Sequence, residues 1–218
     1  MTPLLDRQRE RFLADPNDAQ AFQALEEELF LAGDWAGVIE IYQRRLSAES
    51  IADQPRELAA IHCRIGKVHH ERLAEPERAV ACYRKALQID SQHRPALTRM
   101  RKLHASQNQW EVAVQIGEVE AALPLRPDER ATLLAEMGTI WLEQLGDRPQ
   151  AIAMFKRALE EHPTQIDALE GSARAFAAAG QIARAADAWD RVIELLRGPA
   201  RAMALVGRAR LAEESLRD

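Results

Sequence analysis

The chain has 218 residues, with 29 Lys and Arg against 34 Asp and Glu for a net charge of −5; 47% are hydrophobic and 5% aromatic. The acidic balance argues against a general pull on nucleic acid, and two cysteines, Cys63 and Cys82, are too few for a disulfide scaffold and fit a reducing compartment. No apolar run nears the roughly 18 residues of a membrane span, and the first residues lack the basic-then-apolar order of a signal peptide, so no membrane association and a cytoplasmic location are expected.

Residues 1–16 are expected to hold a lone helix, Leu4 to Ala14, carrying Leu4, Leu5, Gln8, Phe12 and Leu13 and ended by Asp15–Pro16. From Ala19, Phe22, Leu25 and Leu29 recur at helical spacing up to a turn at Gly33–Asp34. Trp35 follows and is expected to pack on the next helix pair. Ser47–Pro55 carries extra residues and reads as a loosened joint or a lengthened helix. Pro76 suits the first turn of a helix after a turn at Ala74–Glu77, and Leu123–Pro127 is a second irregular joint. The clearest stretch runs from Ala131 to Pro163. There, Leu134, Met137 and Trp141 form one stripe beside Gly138, a turn falls at Leu145–Pro149, and Ala151, Phe155, Ala158 and Leu159 form a second stripe. Gly138, lacking a side chain, is expected to let a neighbouring backbone come close. Gly180 marks a last turn, and Ala200 to Arg217 a final helix.

One pattern recurs through these elements. An Ala-like slot is followed four residues on by an aromatic and seven on by a small residue: Val38/Tyr42/Arg45, Ala79/Tyr83/Ala86, Ala113/Gly117/Glu120, Ala151/Phe155/Ala158 and Ala185/Trp189/Val192. The small slot of the preceding helix reads Glu26, Gly66, Arg101, Gly138 and Ala173. These copies resemble the tetratricopeptide repeat, strongly in the second, fourth and fifth and degenerately in the first and third. Repeats near 19–52, 59–93, 94–127, 131–165 and 166–199 follow, with a capping helix at 200–218. The resemblance implies an all-α, right-handed solenoid of helix pairs, counted as a single array over residues 1–218. The unpaired helix at each end favours a piece of something longer.

Catalytic and metal chemistry find little purchase. His62, Cys63, His69 and His70 gather on one helix, but His62 and Cys63 lie seven residues before His69 and His70, about two turns apart. His62, His69 and His104 fall in inner-stripe slots and read as packing residues, as does Cys82. There is no glycine-rich phosphate loop, nucleophile elbow or His-Glu-x-x-His. Glu26 and Glu28 read as a solvated face. No enzymatic activity, metal or cofactor is expected.

In such solenoids the first helices line the concave face, so the resemblance directs attention to their columns. One follows the small slot: Glu27, Lys67, Lys102, Thr139, Arg174 and Arg208. Another precedes it by two residues: Ala24, Arg64, Arg99, Glu136, Gly171 and Leu205. Arg64, Lys67, Arg99 and Lys102 are thereby expected to converge, with Arg174 and Arg208 further along, to hold a protein or peptide partner through an acidic segment. The carboxylate clamp of chaperone-binding members does not fit. Its slots hold Cys63, Lys67, Arg99, Thr132 and Glu136, or, one repeat earlier, Gln23, Glu27, Arg64, Pro95 and Arg99. The expected function is a non-catalytic protein-binding scaffold; the alternative is a regulatory or accessory region of a larger enzyme, secretion or assembly complex. On the last helix, Met203, Val206 and Arg210 are expected to face the preceding pair. Leu205, Leu211 and Ala212 would then be left to support weak self-association through the terminal helices.

Overall fold

The computed structural model describes the backbone of residues 3–215 and the side chains of residues 7–213, Ser50 excepted. The side chains of Leu4 and Leu5 and the expected helix end at Arg217 lie outside the described residues. Among the described residues the chain is all-α. The helices are α1 (Pro3–Ala14), α2 (Ala19–Ala32), α3 (Trp35–Leu46), α4 (Pro55–Glu71), α5 (Pro76–Ile89), α6 (Arg94–Ser106), α7 (Trp110–Ala121), α8 (Pro127–Glu143), α9 (Arg148–Glu161), α10 (Ile166–Ala178), α11 (Ile182–Leu195) and α12 (Gly198–Ser215). A 3-10 turn, Glu49–Ile51, precedes α4. The helices pack in consecutive pairs as a tetratricopeptide-like repeat array. Their contacts divide the chain into two compact units, one ending at Leu103 and the other beginning at His104, within α6.

The two irregular joints resolve into lengthened helices. α4 and α8 have 17 residues each and begin at Pro55 and Pro127, one turn before the repeat starts expected at Ala59 and Ala131. A proline at the first helical position lacks only an N–H that has no intrahelical partner there, and its fixed φ suits the helix. Asp18, Asp34 and Asp147 accept from Ala21 N, Gly37 N and Gln150 N at 2.9–3.0 Å and so start α2, α3 and α9. The turn inside each pair contains one residue of positive φ. It is Gly33, Gly146 or Gly180 in three pairs, but Ala74 (φ 54°) and Asn108 (φ 58°) in the others.

The recurring slots are the core. Val38, Tyr42, Ala79, Tyr83, Ala86, Ala113, Ala151, Phe155, Ala158, Ala185 and Val192 are all buried. Gly138 meets a ring rather than a backbone: a Cβ on it would stand 2.7 Å from Phe155 Cε1, and one on Gly66 would stand 2.6 Å from Tyr83 Cε1. Trp35 packs as expected, edge-on to Phe30 at 5.4 Å and with Arg72, the residue just after α4, 4.8 Å above its ring.

The degenerate copies replace small residues by polar ones without leaving the core. In the first, the Tyr42 hydroxyl donates to Glu26, so Glu26 is more than the solvated face expected of it. Arg45 donates to the Pro16 carbonyl (2.6 Å) and to Glu57 (2.9 Å), tying α3 to the chain before α2 and to α4. In the third, Arg101 is 6% exposed and Glu120 2%. At the joint before α8, Arg130 donates to the carbonyls of Ala121 and Leu123 (3.1 Å each) and to Glu161 (3.0 Å).

Candidate functional site

Within each unit, first helices of neighbouring repeats are linked by charge, α2 to α4, α4 to α6 and α8 to α10, so the basic columns do not stand alone. In the first unit, Arg64 Nη1 of α4 donates to Glu26 Oε1 of α2 at 3.4 Å. Arg99 Nη1 of α6 donates to Glu71 Oε1, at the end of α4, at 2.7 Å. Lys67 Nζ lies 3.9 Å from the other Glu71 oxygen. Arg64, Lys67 and Arg99 also act together on the Cys63 thiol, which burial pushes up while the three charges, Arg99 foremost, oppose that rise. The structure therefore brings these three residues of the expected cluster onto one face, with Glu26 and Glu71 as their carboxylates. Lys102 is exposed on the same helix as Arg99.

Tyr83 adjoins this cluster. Its phenol is pushed above its ordinary range, chiefly by burial, with Arg99 opposing and Cys63 and Glu71 adding to the rise. Its hydroxyl is buried without a hydrogen-bond partner.

In the second unit, Arg174 of α10 donates to Glu143 at the end of α8, and Arg208 Nε of α12 donates to Asp190 Oδ1 of α11 at 3.2 Å. The second column is only partly a surface. Gly171 is buried, and a Cβ on it would stand 2.3 Å from Phe155, so this position packs the core instead of facing a ligand.

The carboxylates Glu71 and Glu143 escaped the column reading. The signal was present: each stands five residues after a small-slot glycine, Gly66 or Gly138, where a first helix ends. The buried histidines serve packing and turns. His69 Nδ1 is 2.7 Å from Glu75 Oε2, and His104 Nδ1 is hydrogen-bonded to Gln109. No group of three or more His, Cys, Asp or Glu is arranged to hold a metal ion among the described residues. Among them, no helix is long and apolar enough to cross a membrane.

Paired amphipathic helices keyed by a glycine against an aromatic define a helical-repeat protein. The family follows from the sequence: tetratricopeptide repeat models match residues 59–93 and 142–210, and the chain is a tetratricopeptide repeat protein. The family generally mediates protein–protein interactions and is typically non-catalytic. No curated protein matches the sequence. Solved structures share the fold at low identity. YrrB, described as a TPR protein with an unusual peptide-binding site, is 16% identical with a TM-score of 0.64, over 93% of this chain and 97% of its own. A MamA fragment from Desulfovibrio magneticus RS-1 is 17% identical with a TM-score of 0.59, over 82% and 95%. Pseudomonas aeruginosa pilF is 21% identical with a TM-score of 0.58, over 96% and 85%.

Proposed function

We propose that this protein is a non-catalytic scaffold that captures an acidic segment of a partner protein on the face formed by α4 and α6. One observation carries the reading: Arg64, Lys67 and Arg99 share two carboxylates, Glu26 and Glu71, beside the exposed Lys102, in a chain of net charge −5. These ion pairs are partly exposed, so each is worth little to stability and opens at low cost. A ligand carboxylate takes the place of Glu71 on Arg99 and Lys67, where it accepts charge-assisted hydrogen bonds. That YrrB is described as having a peptide-binding site is in keeping with this reading. Arg174 and Arg208 extend the same kind of contact in the second unit.

The test is fluorescence anisotropy with a labelled glutamate-rich peptide over a salt series. Binding weakens as salt rises, because exposed charge pairs are screened. Arg64→Glu and Lys102→Glu each weaken it about tenfold or more with helicity unchanged, while Glu71→Gln, which removes the competing carboxylate, strengthens it. Unchanged binding in both charge reversals makes the cluster ordinary surface.

A further inference from the structure

The last helix does not pack on the face its sequence pattern suggests. Leu211 (3% exposed) and Ala204 are buried on α12, with Ala204 joined to Leu169 and Val192 in the core. Met203 is 77% exposed and Val206 51%, and Arg210 is exposed, so these three do not face the preceding pair. The cause is Gly207. A Cβ there would stand 2.7 Å from the Trp189 ring, so the glycine lets α12 lie directly on that ring and turns Met203 and Val206 outward.

This packing leaves a slot of about 450 Å³ between α10 and α12. Ala177 and Trp189 lie within it, Met203 and Val206 line its α12 side, and the charged residues of its lining are Arg174 and Arg210. It is an open, largely apolar groove with two placed charges, and the exposed apolar side chains beside it mark an interaction surface. The charge is of one sign. A second copy of this face would bring only the same two arginines and no carboxylate from the slot lining to meet Arg174 and Arg210.

We propose that this slot docks a segment of a partner protein that places one bulky apolar side chain on Trp189 and flanking carboxylates on Arg174 and Arg210. The proposal rests on the reading of the chain as a protein-binding scaffold, but not on the α4–α6 cluster. The apolar anchor supplies the contact with the indole, and the carboxylates select the partner. Arg174 already holds Glu143, so a ligand carboxylate shares or replaces that bond.

The experiment uses the full chain and a labelled peptide with a central leucine–phenylalanine pair flanked by glutamates, beside the same peptide flanked by lysines. Anisotropy reads binding, and the indole N–H resonance of Trp189 reads its place. The glutamate peptide binds and shifts the Trp189 resonance, and the lysine peptide binds at least tenfold more weakly. Val206→Glu and Arg210→Glu, both at exposed positions that leave helicity unchanged, each weaken the glutamate peptide at least tenfold. Arg64→Glu leaves the shift of the Trp189 resonance unchanged, which separates the slot from the α4–α6 face. Failure of the glutamate peptide to bind, equal binding of the two peptides, an unmoved Trp189 resonance or parent-like binding by Val206→Glu overturns the proposal. So does a concentration-dependent dimer in sedimentation that Val206→Glu abolishes, since a second copy then occupies the face.

Discussion

Gly138 of α8 and Phe155 of α9 are in such close contact that a Cβ on the glycine would lie 2.7 Å from Cε1 and 2.9 Å from Cζ of the ring. The ring is buried and has no room to retreat, because Gly171 of α10 abuts it from the next helix pair. Gly138→Ala therefore costs about 1–3 kcal/mol by overpacking, although alanine is the better helix former, and Gly138→Leu costs more. Urea unfolding of Gly138→Ala alone and with Phe155→Leu measures the coupling. The double variant recovers much of the loss; an alanine variant as stable as the parent removes this contact as the reason for the glycine.

Tyr42 and Tyr83 occupy the same slot of successive repeats and differ in what meets the hydroxyl. That of Tyr42 donates to Glu26, and that of Tyr83 is buried without a partner. Tyr42→Phe destabilises by about 1 kcal/mol, since it removes the closer of the two donors to a partly buried carboxylate and leaves it only Arg64 at 3.4 Å. Tyr83→Phe is neutral or stabilising by a similar amount, because it removes a desolvated group that gains nothing in return. Paired denaturation curves check the contrast, and equal losses in the two variants contradict it.

Ala74 holds a φ of 54° in the turn between α4 and α5, at a place where three other pairs use glycine. The left-handed region costs a residue with a Cβ roughly 1–2 kcal/mol. Glycine forfeits part of that gain through the entropy of the unfolded chain. Ala74→Gly is accordingly expected to stabilise by about 0.5–1 kcal/mol, seen as a higher urea midpoint; a lower midpoint shows that the turn carries no strain.

Half-buried His62 and His93 are expected to make stability depend on pH between about 5 and 8. Burial holds both imidazoles below their ordinary pKa; the Lys85 charge adds to this at His62, while Asp90 opposes it at His93. His93 Nδ1 also accepts from Ala96 N at 3.3 Å, which requires the ring nitrogen to be unprotonated. A folded-state pKa below the unfolded value of about 6.5 means that the unfolded chain binds protons first. The stabilisation is thus complete above about pH 6.5, falls as pH drops through that value, and levels off below the folded-state pKa. Urea midpoints at pH 8, 7, 6 and 5 decline toward the acid side. In His62→Gln/His93→Asn, where asparagine keeps an acceptor at the start of α6, the decline is shallower; an unchanged slope excludes these two residues as its source.

The sequence by itself determined the helix pairs, the turns within them and the buried slots, down to Ala151, Phe155 and Ala158. These follow from short-range periodicity: residues three and four apart share a helix face, and one supersecondary unit repeated along a chain must bury the same positions each time. It also placed Arg64, Lys67, Arg99 and Lys102 on first helices in adjoining repeats. Their partners were not legible. Glu26 and Glu71 lie 38 and 28 residues from Arg64 and Arg99, and whether such groups meet depends on how one helix is rotated against the next. The outer face of α12 was decided in the same way, since Gly207 beside Trp189 turns Met203 and Val206 outward, where the amphipathic pattern had turned them inward. Only the tertiary structure divides the chain at Leu103 and His104, because a boundary inside a continuous helix leaves no proline, glycine or change of composition to mark it.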